Sequence, residues 1–238
     1  MQATKEKYEI SKEFKYIIDE FADIKVMRYR FDAWNSLSLK QKHLIYHLSE
    51  AALWGRDIIW QQNCKYNLPI RKALEDVLMN YSGDRTNKQW QEFEVYCKRV
   101  FFSNGIHHHY GEEKFFPLCS KEYFIELLEQ SIKNSEKAKH IEEIADWVFN
   151  PCIAPKRKET DKSKDIVAES AVGFYSGVSR KEVEEYYSEF IQPDKERPLS
   201  VGINSVMVES ENGVEEKICK SGGVYGRTID KIVENLRK

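Results

Sequence analysis

Residues 90–117, WQEFEVYCKRVFFSNGIHHHYGEEKFFP, hold a helix, its stop and a loop rich in imidazole and carboxylate, and their reading decides the fold. Trp90, Phe93, Cys97, Val100 and Phe101 recur three or four residues apart, the spacing of one apolar stripe on an α-helix. Asn104-Gly105 stops it, because both residues tolerate the left-handed conformation of a helix C-cap. Beyond the stop come His107, His108, His109, Tyr110, Gly111 and the acidic pair Glu112-Glu113.

On the C-terminal side, Ser120 caps a helix bearing Tyr123, Phe124, Leu127 and Leu128. Another, from about Ser135, presents Ile141, Ile144, Ala145 and Val148 and ends at Asn150-Pro151. On the N-terminal side, the turn Ser82-Gly83-Asp84 is preceded by a helix that Asn67 and Pro69 open and that carries Ile70, Ala73, Leu74, Val77, Leu78 and Tyr81. Before that, Ser38 caps a long helix through Leu44, Leu48, Ala51 and Ile59, after a loop at residues 32–37. Phe14, Ile17, Ile18, Phe21 and Ile24 predict a first helix from Ser11.

Residues 1–151 therefore read as a helical subregion. Residues 155–164, PKRKETDKSK, lack apolar side chains and predict an exposed connection, placed at 152–165. Residues 166–238 read as mixed. Residues 166–175 are strand-like or irregular, Ser179 caps a helix with Val183, Tyr186, Tyr187 and Phe190, and 193–198 is loop. Two strands, 201–209 and 214–220, flank the hairpin signal Asn212-Gly213. A last helix with Ile229, Ile232, Val233 and Leu236 follows Gly222-Gly223 and runs to Lys238 without a terminating signal, so the sequence is read as continuing past it. The expected class is α+β in one lobe: a mostly helical portion, then hairpin or small-barrel strands and a C-terminal helix.

With 41% apolar residues the chain can bury a core, and a formal net charge of -2 gives no field that would draw nucleic acid. No window approaches 18 apolar residues, so no membrane partner is expected. The compartment is cytoplasmic, or exported if a signal peptide was removed before Met1. Five scattered cysteines, Cys64, Cys97, Cys119, Cys152 and Cys219, form no C-x-x-C pair and read as reduced thiols.

Three consecutive histidines cannot all face one ion, since alternate side chains of an extended chain point opposite ways. At most His107 and His109 converge, with Glu112 or Glu113 as further ligands. His43 and His47 have the spacing of a zincin helix, but Leu44 stands where its glutamate belongs. Neither G-x-S-x-G nor a glycine-rich nucleotide loop occurs, and Gly222-Gly223 reads as a helix entry or an anion site. The loop is better suited to an extended ligand: Gly105 and Gly111 permit close approach, Tyr110 offers a flat face with a hydroxyl, and Glu112 and Glu113 could meet a free peptide amine.

NGIHHHYGEEKFFP (104–117), FADIKVMRYR (21–30), GRDIIWQQNCKYN (55–67), GINSVMV (202–208) and GGVYGRTIDKIVENL (222–236) together resemble the N-terminal part of bacterial dipeptidyl peptidase III, most closely the forms from Bacteroides-like organisms. The resemblance is collinear over essentially the whole chain. It implies the substrate-binding, mainly lower, lobe of a two-lobed zinc exopeptidase that removes dipeptides from the N-termini of short peptides. That family's zinc motifs, H-E-x-x-G-H and E-E-x-R-A-E/D, occur nowhere in the chain. The expectation is thus no cofactor here, zinc in the full-length enzyme, and as partners an oligopeptide and the remaining C-terminal part. The chain alone is expected to be inactive, with no catalytic and no metal-binding residue. The resemblance puts Tyr110-Gly111 at the cleft near the substrate's N-terminal residues; the expected binding set is Asn104, His109, Tyr110, Gly111, Glu112 and Glu113. Two alternatives stand beside it, a non-catalytic peptide-binding module and a metal-binding protein centred on His107 and His109.

Overall fold

The computed structural model describes residues 14–188 and 204–238, which fall into two compact units divided after Lys42. In the first unit, β1 (Ile17–Phe21) and β2 (Ile24–Met27) pair antiparallel, and Phe21 faces Ile24 across the two-residue link Ala22-Asp23. The helix predicted from Ser11 is therefore corrected to a hairpin. Three of its five marker positions are isoleucines, whose branched side chains fit a pleated strand. Ala22, at φ 49°, turns the chain where a helix would continue. From Ile24 to Met27, half-buried and exposed residues alternate with the period of a strand.

A 3-10 turn, Asp32–Ser36, fills the predicted loop, and α1 (Leu39–Asn63) follows. Ser38 Oγ accepts from the Gln41 N–H at 3.4 Å while Gln41 Oε1 accepts from the Ser38 N–H at 2.9 Å, a reciprocal cap. From His43 onward the residues belong to the second unit.

That unit is built on α2 (Asn67–Asn80), α3 (Lys88–Ser103), α4 (Lys121–Ser131), the single turn α5 (Ser135–Ala138) and α6 (Ile141–Phe149). Their apolar stripes meet in one buried cluster: Ile70, Leu74 and Val77 from α2, Phe93 and Val100 from α3, Phe124 and Leu128 from α4, Ile144 and Val148 from α6, and Trp60 from α1. Each such side chain contributes about 1.5–3 kcal/mol on burial, so packing rather than helix propensity holds these elements. The one helix expected from Ser135 is two. Asn134 caps α5 by accepting from the N–H groups of Glu136 and Lys137, and His140, at φ −105° and ψ 7°, breaks the path before α6.

The mixed part follows. β3 (Tyr175–Ser176) lies parallel to β4 (Ser205–Ser210), which pairs antiparallel with β5 (Gly213–Ile218). Ser210 pairs with Gly213, so the turn is Glu211-Asn212, one residue earlier than expected, with Gly213 at φ 101°. Among the described residues this sheet is open and three-stranded, not a barrel. Ser179 and Glu182 cap α7 (Arg180–Ser188) reciprocally, and its Val183 and Tyr187 bury against Met207 of β4. α8 (Gly226–Leu236) comes last, with Ile232 3.6 Å from where a side chain at Gly55 would begin. The predicted positions Phe190, 193–198 and Val201 lie outside the described residues. The class is α+β. No described helix is long and apolar enough to cross a membrane.

Candidate functional site

The loop between α3 and α4 is a small hairpin. The Phe115 N–H donates to Ile106 O at 2.8 Å, the His108 N–H to Glu113 O at 2.7 Å and the Glu112 N–H to His108 O at 3.3 Å. These bonds leave residues 109–112 as the tip, where Tyr110 is 83% exposed.

Its base is anchored by Asn67, fully buried at the start of α2. Asn67 Oδ1 accepts from the Ile106 N–H at 3.0 Å, and Nδ2 donates to Trp60 O at 3.1 Å and Asn104 O at 3.5 Å. Asn104, left-handed at φ 52°, caps α3 as its sequence suggests, and its carbonyl also accepts from Asn63 Nδ2. Of the expected binding set, Asn104 therefore sits at the base of the loop and the other five at or beside the tip.

The three histidines have three different surroundings. His107 is 2% exposed and donates from Nε2 to Ala154 O at 2.8 Å; burial lowers its pKa to about 4. His108 Nδ1 accepts from the N–H groups of Gly111, at 2.8 Å, and Tyr110, at 3.2 Å, so that ring shapes the tip. His109 stacks on His108 with ring centres 4.6 Å apart and lies 4.3 Å from the Tyr110 ring. Among the described residues, no three His, Cys, Asp or Glu side chains gather to hold a metal ion.

The acidic pair divides. Glu112 is tied by Arg157, whose Nε and Nη2 reach its two carboxylate oxygens at 2.7 Å each, and this guanidinium holds the carboxyl below its ordinary range. In this geometry both oxygens of the Glu112 carboxylate are engaged by Arg157. Glu113 remains exposed, its carboxylate lying over Gly111.

Two functional neighbours were not expected from the sequence. Arg157 belongs to the charged run read as a connection, and only its charge signalled a role. That run is mostly exposed, yet it is a packed third edge: the backbones of Lys156 and Glu113 pair antiparallel, and the Arg157 N–H donates to Glu112 O at 2.9 Å. Glu159 within it is buried and accepts from the N–H groups of Thr160 and Asp161 and from Lys156 and Lys164, which hold its carboxyl at about 2. Lys114 is the second, 6% exposed and directed at the carbonyls of Asn150 and Ile153.

The remaining sequence candidates lie elsewhere. His43 and His47 meet edge to face at 6.4 Å, and His140 is exposed with Nδ1 2.9 Å from Glu143. All five thiols are free, and burial raises Cys64 to about 11 and Cys119 to about 12, away from nucleophilic use. Gly222 and Gly223 border an open depression before α8. A larger groove, about 570 Å³, runs between α2 and α6 over Leu68, Ile132, Ile144 and Trp147, and no residue of the 104–117 loop lines it.

No protein-family model and no curated protein matches the chain.

Proposed function

We propose that this chain is the N-terminal, substrate-binding lobe of a zinc-dependent dipeptidyl peptidase III that removes dipeptides from short peptides. The observation that carries the reading is the tip itself: an exposed tyrosine and glycine on a hydrogen-bonded base, beside a Glu113 carboxylate that has no ion-pair partner among the described residues. In this role Tyr110 gives an apolar face and a hydroxyl to the first residues of a peptide. Gly111, having no side chain, leaves room for the Glu113 carboxylate that lies over it, and Glu113 meets the N-terminal ammonium.

A second feature supports a lobe over a self-contained module. Among the described residues, Leu44, Leu48, Leu53, Trp54 and Ile59 of α1 are all exposed, an apolar face that a further part of the enzyme would cover. The remaining part of the enzyme is the cover proposed for it. Zinc, when bound in the complete enzyme, supplies Lewis acidity and an activated water. This chain's residues bind and orient the peptide and take no part in holding the ion.

The test is hydrolysis of dipeptidyl-naphthylamides, with added zinc, by this chain alone and by the chain rejoined to the remaining part. Turnover by the rejoined enzyme only is expected. Robust turnover by the chain alone, or none by the rejoined enzyme, would overturn the reading.

A further inference from the structure

We infer that Arg157 is a positioning residue for peptide binding, and that Glu112 serves the loop tip through it rather than the ligand. This rests on the proposed function for its consequence, though not for its geometry. The guanidinium touches both ends of the tip: Nη2 donates to His109 O at 3.4 Å and to Glu112 Oε1 at 2.7 Å, while Nε donates to Glu112 Oε2 at 2.7 Å. The two residues between those ends are Tyr110 and Gly111. A planar fork fixes its carboxylate in orientation as well as distance, which a lysine's point charge cannot do.

Several constraints meet at this clamp. Glu112 has φ 67°, a left-handed conformation that side chains other than glycine adopt rarely, and something must hold it there. The Arg157 N–H donates to the Glu112 carbonyl at 2.9 Å, so backbone and side chain grip the same residue. Both side chains are largely shielded, 17% and 24% exposed, which limits screening by salt. Arg157 is itself anchored, since its carbonyl and that of Lys156 accept from the Ala171 N–H at 3.0 and 3.2 Å. The clamp is thus attached to the buried core, to which Ala171 belongs. Glu113, outside the clamp, is left as the loop's available carboxylate.

The experiment uses the rejoined enzyme with Arg157→Ala, Arg157→Lys and the charge swap Glu112→Arg with Arg157→Glu. For Arg157→Ala, KM for a dipeptidyl-naphthylamide should rise roughly tenfold while kcat stays within about twofold, the signature of lost binding geometry rather than lost chemistry. Arg157→Lys should fall between, and the swap should recover part of the loss. Amide hydrogen exchange at Gly111 and Glu112, read in parallel, should accelerate in Arg157→Ala. A proportionate fall in kcat with an unchanged KM, or unchanged exchange at the tip, would overturn the inference. If the wild-type rejoined enzyme releases no dipeptide, the proposed function fails, and the exchange measurement still decides the clamp.

Discussion

Lys114 ties the loop to the end of α6: its Nζ donates to the Asn150 carbonyl at 2.7 Å and also reaches that of Ile153 at 2.9 Å. Asn150 caps α6, so a cation meets carbonyls at the negative end of a helix. The loop's position is thereby coupled to the core, and the coupling has a pH signature.

Burial lowers the Lys114 pKa to about 8, against about 10.4 in an unfolded chain. Between those values the unfolded state holds more protons, so stability rises with pH there, and the buried charge costs stability below pH 8. In urea titrations at pH 7.5 and pH 10, the wild type should gain relative to Lys114→Met as pH increases. A difference between the two proteins that does not change with pH contradicts this.

His107 gives the acid counterpart. Its folded pKa of about 4 lies below the ordinary 6.5, so the folded state resists protonation and stability falls as pH drops from 6.5 toward 4. The fall attributable to this group is up to about 3 kcal/mol. His107→Gln, which can keep a donor for Ala154 O, should flatten that limb of the stability curve; an unchanged limb counts against a buried neutral imidazole.

Asn67 and Gly105 form the base on which the tip stands. A side chain at Gly105 would begin 2.2 Å from Asn67 Nδ2, and the Asn67 amide cannot easily move because its bonds to Trp60, Asn104 and Ile106 hold it. Gly105→Ala should therefore destabilise the protein by about 2 kcal/mol, and Asn67→Ala by about 2–3 kcal/mol through unsatisfied buried groups. Thermal denaturation reads both, and a shift of under a degree for either would show the base to be adaptable.

Tyr110 presents the opposite case. Being 83% exposed, it should leave stability within about 0.5 kcal/mol of wild type when replaced by alanine, yet raise KM of the rejoined enzyme roughly tenfold. Equal KM values would remove the tip from the binding site.

How much of this was legible in the sequence depends on how local each signal is. The stops and caps at Asn104, Ser120 and Ser179 were readable because the groups that satisfy them lie within a few residues. The β1–β2 hairpin was not, since Phe14, Ile17, Phe21 and Ile24 satisfy a helical period while the strand choice depends on the Ala22-Asp23 turn and on the partner strand. The Glu112–Arg157 pair was hidden for a longer-range reason: Arg157 lies 45 positions away, in a run whose composition describes only an exposed connection. Sequence marked the loop as a candidate; the fold shows which of its two carboxylates is tied to Arg157.

The most direct test of the account is the product. A hexapeptide with a free N-terminus is incubated with the rejoined, zinc-loaded enzyme, beside its N-acetylated twin, and fragments are followed by mass spectrometry. The account predicts an N-terminal dipeptide as the first product from the free peptide and none from the acetylated one. Release of single amino acids, internal cleavage, or equal turnover of the two peptides would contradict it.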